Sequence, residues 1–375
     1  MSRSFSRSVL GRLKPSGRSG LLLGTATLAI AVSSSPALAE CVSDNNGVIC
    51  LGSTPGYVST VPDQTITVVP GATINGDSTS GTALRFLEGG ALNVDGAVLS
   101  ATGIGVDLAS PARYRITVGP SGRISGTTAI AAGADGGYRE TRIENNGSIE
   151  GSGGTAIALG AGISDVVNRG TITGSVTGSA QDFSENRLEN AGRINGDIRY
   201  EGQSEDIVYQ RIGGTVSGAI SLGDGDDGYW REVRGDVAAG GVSGAVDGGA
   251  GTDIYGLRVT ASGTVQLDPS LPAGFERYGI DLCGCDLDVT IAAGDYAAPL
   301  IVSGTGTLTS NANFTATGRI LEVSAGGGDD SGGDAGLHFV NRGTIAGTGN
   351  GDSSAMAIVA NGARLTNEGR IEFGG

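Results

Sequence analysis

The residues best suited to chemistry in this 375-residue chain are acids. Asp224, Asp226 and Asp227 fall within the run Gly223-Asp224-Gly225-Asp226-Asp227, and Asp253 closes Asp247-Gly248-Gly249-Ala250-Gly251-Thr252-Asp253. Hard cations such as Ca²⁺ need several oxygen ligands, and clustered carboxylates also serve the acid–base steps of polysaccharide cleavage. The segment from Gly248 to Tyr255 fits one copy of a nine-residue calcium repeat. Such sites are built from tandem copies, and the sequence holds no second copy nine residues away. Asp224, Asp226, Asp227 and Asp253 are therefore a weak calcium candidate, with a solvated acidic corner as the plainer reading. Ca²⁺ is the only cofactor the sequence suggests.

Other candidates resolve into structure. His338 is the only histidine, so a Ser-His-Asp or Cys-His site would have to use it. Alternation in Leu337-His338-Phe339-Val340-Asn341 places it on the outer side of a strand. Gly76-Asp77-Ser78 and Gly351-Asp352-Ser353 resemble pieces of esterase motifs but lie in turn segments. Arg234-Gly235-Asp236 is an integrin-type tripeptide whose glycine falls on the spacing of the turns described below. Trp230, the lone tryptophan, is either an exposed contact or a cover for the neighbouring coil. Cys41 and Cys50 flank a short polar loop and suit a disulfide in an oxidising compartment, and Cys283-Gly284-Cys285 could close a small ring. Two distant cysteine pairs and one histidine argue against a zinc centre. This reading assigns no catalytic residue, no cofactor-binding residue and no enzymatic activity.

The elements that must position these residues repeat. Asn145-Asn146-Gly147-Ser148-Ile149-Glu150-Gly151 returns as Asn168-Arg169-Gly170-Thr171-Ile172-Thr173-Gly174 and as Asn190-Ala191-Gly192-Arg193-Ile194-Asn195-Gly196. Late copies start at Asn341 and Asn367, and Pro70-Gly71-Ala72-Thr73-Ile74 is a degenerate early one. Central glycines stand at 96, 122, 147, 170, 192, 214 and 235, and later at 318, 343 and 369. A period of about 25 residues without helical patterning is the mark of a β-solenoid. Asn and Gly accept the backbone angles of a corner. In the short strand that follows, the middle Ile points inward and its neighbours outward. Segments such as Gly154-Thr155-Ala156-Ile157 and Val166-Val167-Asn168 supply two more strands per coil. One coil cannot bury its apolar face, but stacked coils can. The expected fold is all-β: a right-handed parallel β-helix of about 12 coils, with a cap over 40–60 and irregular coils over 264–317.

Composition agrees. Glycine accounts for 69 residues, with no collagen period, and the apolar residues come in short runs. Residues 1–39 carry Arg3, Arg7, Arg12, Lys14 and Arg18 and no acid. An apolar run from Leu21 to Val32 and then Ala37-Leu38-Ala39 follow, which reads as a signal peptide cleaved between Ala39 and Glu40. Removing it leaves 19 basic and 39 acidic residues, a net charge of -20. Such a surface repels nucleic acid and anionic lipid.

The Asn-x-Gly-Thr-Ile coils, the Gly-Thr-Ala-Ile segments, the two Asp-Gly-rich runs, Gly274-Phe275-Glu276-Arg277-Tyr278 and the early cysteine pair together resemble the passenger region of autotransporters, the type V secreted proteins of Gram-negative bacteria. The resemblance covers nearly all of residues 40–375. It implies a pectate-lyase-like β-helix exported through the inner membrane and displayed at the outer membrane or released. It also implies an outer-membrane β-barrel partner, in cis or separately encoded, because the chain stops at Gly375 after a coil motif with no barrel strands. The function it implies is structural or adhesive, with a host or cell-surface ligand. A secreted polysaccharide lyase or hydrolase is the alternative.

Overall fold

The computed structural model describes residues 40–374 apart from 45–46, 77–80, 134–136, 182, 236, 326–335, 349–356 and 361. Residues 1–39, where a signal peptide is expected, lie outside the described residues, as do Asp77, Asp236, Asp352 and the Cys285 side chain. The described chain is all-β, a solenoid of about 12 turns about 23 residues apart. Nearly all strand pairs are parallel and join one coil to the next.

Each coil in the first half has three faces. Arg113–Val118 forms the first face of its coil, and Arg123–Ala132 bends to supply the second and third. The bend is a register shift between Gly126 and Thr128. Stacking aligns one inward residue per coil on each face. The first-face column runs Ile116, Ile143, Val166, Leu188 and Val208. The second runs Val98, Ile124, Ile149, Ile172, Ile194 and Val216. The third runs Val106, Ile130, Ile157, Val176, Ile198 and Ile220. All are buried. β-Branched side chains fit because the pleat presents them directly over their neighbours one strand spacing away.

The corner between the first and second faces is where the Asn-x-Gly motif sits. Asn145 Nδ2 donates to Asn168 Oδ1 at 2.8 Å, Asn168 Nδ2 to Asn190 Oδ1 at 2.8 Å, and Asn190 Nδ2 to Gln210 Oε1 at 3.2 Å. Each of the three amides also donates to a backbone carbonyl of the coil above, those of Thr171, Arg193 and Thr215. The glycine is needed for close approach: a Cβ on Gly170 would stand 2.2 Å from the carbonyl oxygen of Gly147.

This pattern changes between residues 232 and 276. The column of Asn168 and Asn190 continues through Gln210, Arg231 and Leu257 to Ile280, Val302 and Val323. The late motif residue Asn341 stacks instead on Ser310 and Ile291, one face further along the coil. In the second half the continuous bend therefore joins faces one and two, and the sharp corner follows face two. The cause is an insertion. Gly228–Arg234 overruns the first face and folds back as an antiparallel hairpin on Val237–Ala238. Two glycines assigned to the corner by spacing are displaced accordingly. Gly235 sits in that hairpin turn, and the residue in register with the Gly214 corner is near Gly241, since Val216 pairs with Val242. Gly318 ends the strand Asn313–Thr317; Ala312 occupies the position of Gly343 and Gly369. The buried side chains divide at the same place into two hydrophobic clusters.

Over 40–60, only Glu40–Asp44 runs antiparallel, against Gly47–Leu51, and a Cys41–Cys50 disulfide joins the two strands. Gly47–Leu51, Ser53–Pro55 and Tyr57–Ser59 already stack in parallel on the following coil. The stretch 264–317, where the motif fades, contains the 15-residue strand Arg277–Ile291, which pairs in parallel with Leu300–Ser310. Its irregularity is one break in register between Leu282 and Leu287, where Cys283-Gly284-Cys285 lies. Cys283 is disulfide-bonded.

Candidate functional site: a buried acidic column

At the start of the first-face strands a column of polar residues forms, buried at Asn186, Asp206, Asp227 and Asp253 and ending at the exposed Glu276. Register places Asn186, Asp206, Asp227, Asp253 and Glu276 above one another. Hydrogen bonds follow the stack. Asp206 Oδ1 accepts the backbone N–H of Asn186 at 2.6 Å and its Nδ2 at 3.0 Å. Asp227 Oδ1 accepts the N–H of Asp206 at 2.7 Å, and Asp253 Oδ1 accepts that of Asp227 at 2.7 Å. Glu276 Oε2 accepts the N–H of Asp253 at 2.8 Å. Each acid thus satisfies a backbone donor that would otherwise be stranded at the corner.

Asp206, Asp227 and Asp253 are 2%, 1% and 0% exposed, which decides their electrostatics. Burial raises Asp206 to about 7, Asp227 to about 8 and Asp253 to about 6, against the lowering effect of the N–H bonds they accept. Neighbouring acids push in the same direction as burial: Glu185 and Glu205 on Asp206, and Asp206, Asp253 and Glu205 on Asp227. Asp253 feels Glu276, Asp226 and Asp247. The second oxygens, Oδ2 of Asp227 and of Asp253, are buried without a hydrogen-bond partner.

The four acids singled out from the sequence are therefore divided. Asp227 and Asp253 belong to the column, while Asp224 and Asp226 are exposed outside it. Asp226 Oδ1 accepts the N–H of Thr252 at 2.9 Å. With Gln203, Glu205 and Asp224 it lines an open groove of about 610 Å³. Among the described residues no three His, Cys, Asp or Glu side chains converge to hold a metal ion. Asp206 and Glu276 escaped sequence reading. The available signal was an Asn, Asp or Glu preceding each first-face strand, but the steps of 20, 21, 26 and 23 residues are too uneven to stand out.

A second polar group lies where the two core clusters meet. Arg231 Nη2 and the Tyr255 hydroxyl both reach Asp268 Oδ2, at 2.7 and 2.8 Å, and the Tyr278 hydroxyl donates to the Asp268 carbonyl at 2.9 Å. On the outer side, Trp230 lies across the next two coils: Cβ atoms on Gly256 and Gly279 would stand 2.3 and 2.6 Å from its ring atoms. The half-buried His338 has Nε2 2.8 Å from Thr366 Oγ1, bridging neighbouring coils.

Fold and site define the class: a parallel β-solenoid with asparagine and carboxylate ladders. No family model, no curated protein and no solved structure matches the chain. Among the described residues no helix is long and apolar enough to cross a membrane.

Proposed function

We propose that this protein is the exported passenger of a type V secretion system, displayed at the cell surface or released, where it serves a structural or adhesive role. The observation that carries the reading is the parallel stacking of the described strands between Gly47 and Gly374, ladder upon ladder, on an acidic chain preceded by a signal-like segment. Repetition of this kind presents long, regular outer faces. Here those faces carry charge pairs between adjacent coils, such as Arg113–Glu140 at 2.9 Å and Arg342–Glu368 at 2.8 Å. The ligand is a component of a cell surface or its surrounding matrix, and the export partner is an outer-membrane β-barrel. Incubating the purified protein with cultured cells, matrix proteins and a glycan array tests adhesion. Saturable binding to at least one surface is expected; no binding to any of them would refute the adhesive role.

A secreted polysaccharide-active enzyme is the second reading. It is favoured by the outer-face groove of about 370 Å³ lined by Asp165, Glu185, Arg187 and Glu205. Release of reducing ends or unsaturated sugars from acidic polysaccharides would select it over adhesion.

A further inference from the structure

We propose that Asp206, Asp227 and Asp253 form a proton-holding column that makes the middle of the stack tighten in mildly acidic surroundings and loosen as they turn alkaline. The three carboxyls stand one per coil in register, each with one oxygen fixed by a backbone N–H of the preceding coil. The free oxygens of Asp227 and Asp253 are sealed from water with no donor to meet them. A proton on such an oxygen removes a buried charge that nothing nearby compensates.

The groups that face the column are of the wrong sign to hold it ionised. On the first-face side these are Glu185, Glu205, Asp226 and Glu276. Asp247 acts on Asp253 from the strand Val246–Asp247. Behind Asp206 stands Tyr200, fully buried, its own hydroxyl held protonated by burial and by that acid. The favourable partners are one backbone N–H for each acid and, for Asp206 alone, the Asn186 amide as well, and all of them reach only Oδ1.

The direction of the effect follows from linkage. A carboxyl whose folded-state value lies above the ordinary one near 4 binds more protons folded than unfolded. Its contribution is complete below about 4 and is lost as pH rises through the folded values, from about 6 for Asp253 to about 8 for Asp227. The asparagine ladder in the first half carries no titrating group and supplies an internal control.

The experiment is amide hydrogen exchange on the purified protein at about pH 5 and about pH 8.5, corrected for intrinsic exchange, comparing 206–254 with 145–172. Opening of 206–254 is expected to increase at least about tenfold at the higher pH relative to the control segment. Asp227→Asn, which keeps an acceptor oxygen and cannot ionise, should reduce that difference markedly, leaving the part that Asp206 and Asp253 supply. Equal pH response in the two segments, or a variant that keeps the full wild-type difference, would overturn the proposal. Protection restored at the higher pH by Ca²⁺ would do so as well, by showing a cation site in place of protons. Should Asp227→Asn fail to fold, the infrared carbonyl stretch of protonated carboxyls in the unmodified protein decides: its absence near neutral pH refutes the column.

Discussion

Asn168 shows how much one side chain does in this stack. Its amide donates to Asn190 and its oxygen accepts from Asn145, both within the dry corner. Truncation leaves partners in two coils without their bond, at about 1–3 kcal/mol for each stranded group. We therefore expect Asn168→Ala to lower unfolding stability by about 2–4 kcal/mol in a denaturant titration, while the exposed Asn195→Ala changes it by less than about 0.5 kcal/mol. Ile172 is buried between Ile149 and Ile194 in the second-face column. Ile172→Ala should cost about 2–5 kcal/mol, because stacked coils above and below cannot close on the cavity. The aspartates occupy an equally buried position and behave differently because they titrate. Their column also places one polar group per coil, but each accepts a backbone N–H where the asparagines bond side chain to side chain.

At the scale of the element, the hairpin Gly228–Arg234 with Val237–Ala238 shifts the corner motif by one face. Trp230 lies on the same strand and covers the coils that follow. Gly256→Ala should push the indole outward, since the added Cβ would stand 2.3 Å from Cε3. As Trp230 is the only tryptophan, its emission is a direct readout. A red shift and easier quenching are expected with the far-ultraviolet spectrum unchanged, and an unmoved emission would show that the ring has room to spare. The same comparison explains what was legible in the sequence. Coils with Asn-x-Gly-Thr-Ile could be read because corner and inward Ile recur together, as at Asn168 and Ile172. Gly235 and Gly318 misled because glycine also serves hairpin turns and strand ends, with φ of 57° and 80° at these two positions. Asp206 and Glu276 were hidden because loops of unequal length separate the members of their column. Sequence spacing counts those loops, and the register does not.

At the scale of the whole molecule, each coil gains its core only from its neighbours, so the first coil needs a cover. The antiparallel strand Glu40–Asp44, pinned by Cys41–Cys50, provides one. Reducing that disulfide should cost about 2 kcal/mol, with protease cleavage appearing first before residue 60. The cover also ties fold to compartment. A disulfide two residues beyond the expected cleavage point suits the oxidising compartment that the proposed export would reach, and the acidic chain that follows suits a surface exposed to solvent. Export is the claim on which the proposed function stands, and the mass of the protein recovered from the outside of its native cells tests it most directly. A chain beginning at Glu40 with Cys41 and Cys50 oxidised is expected. Recovery only from the cell interior, with residues 1–39 retained and both thiols reduced, would contradict it.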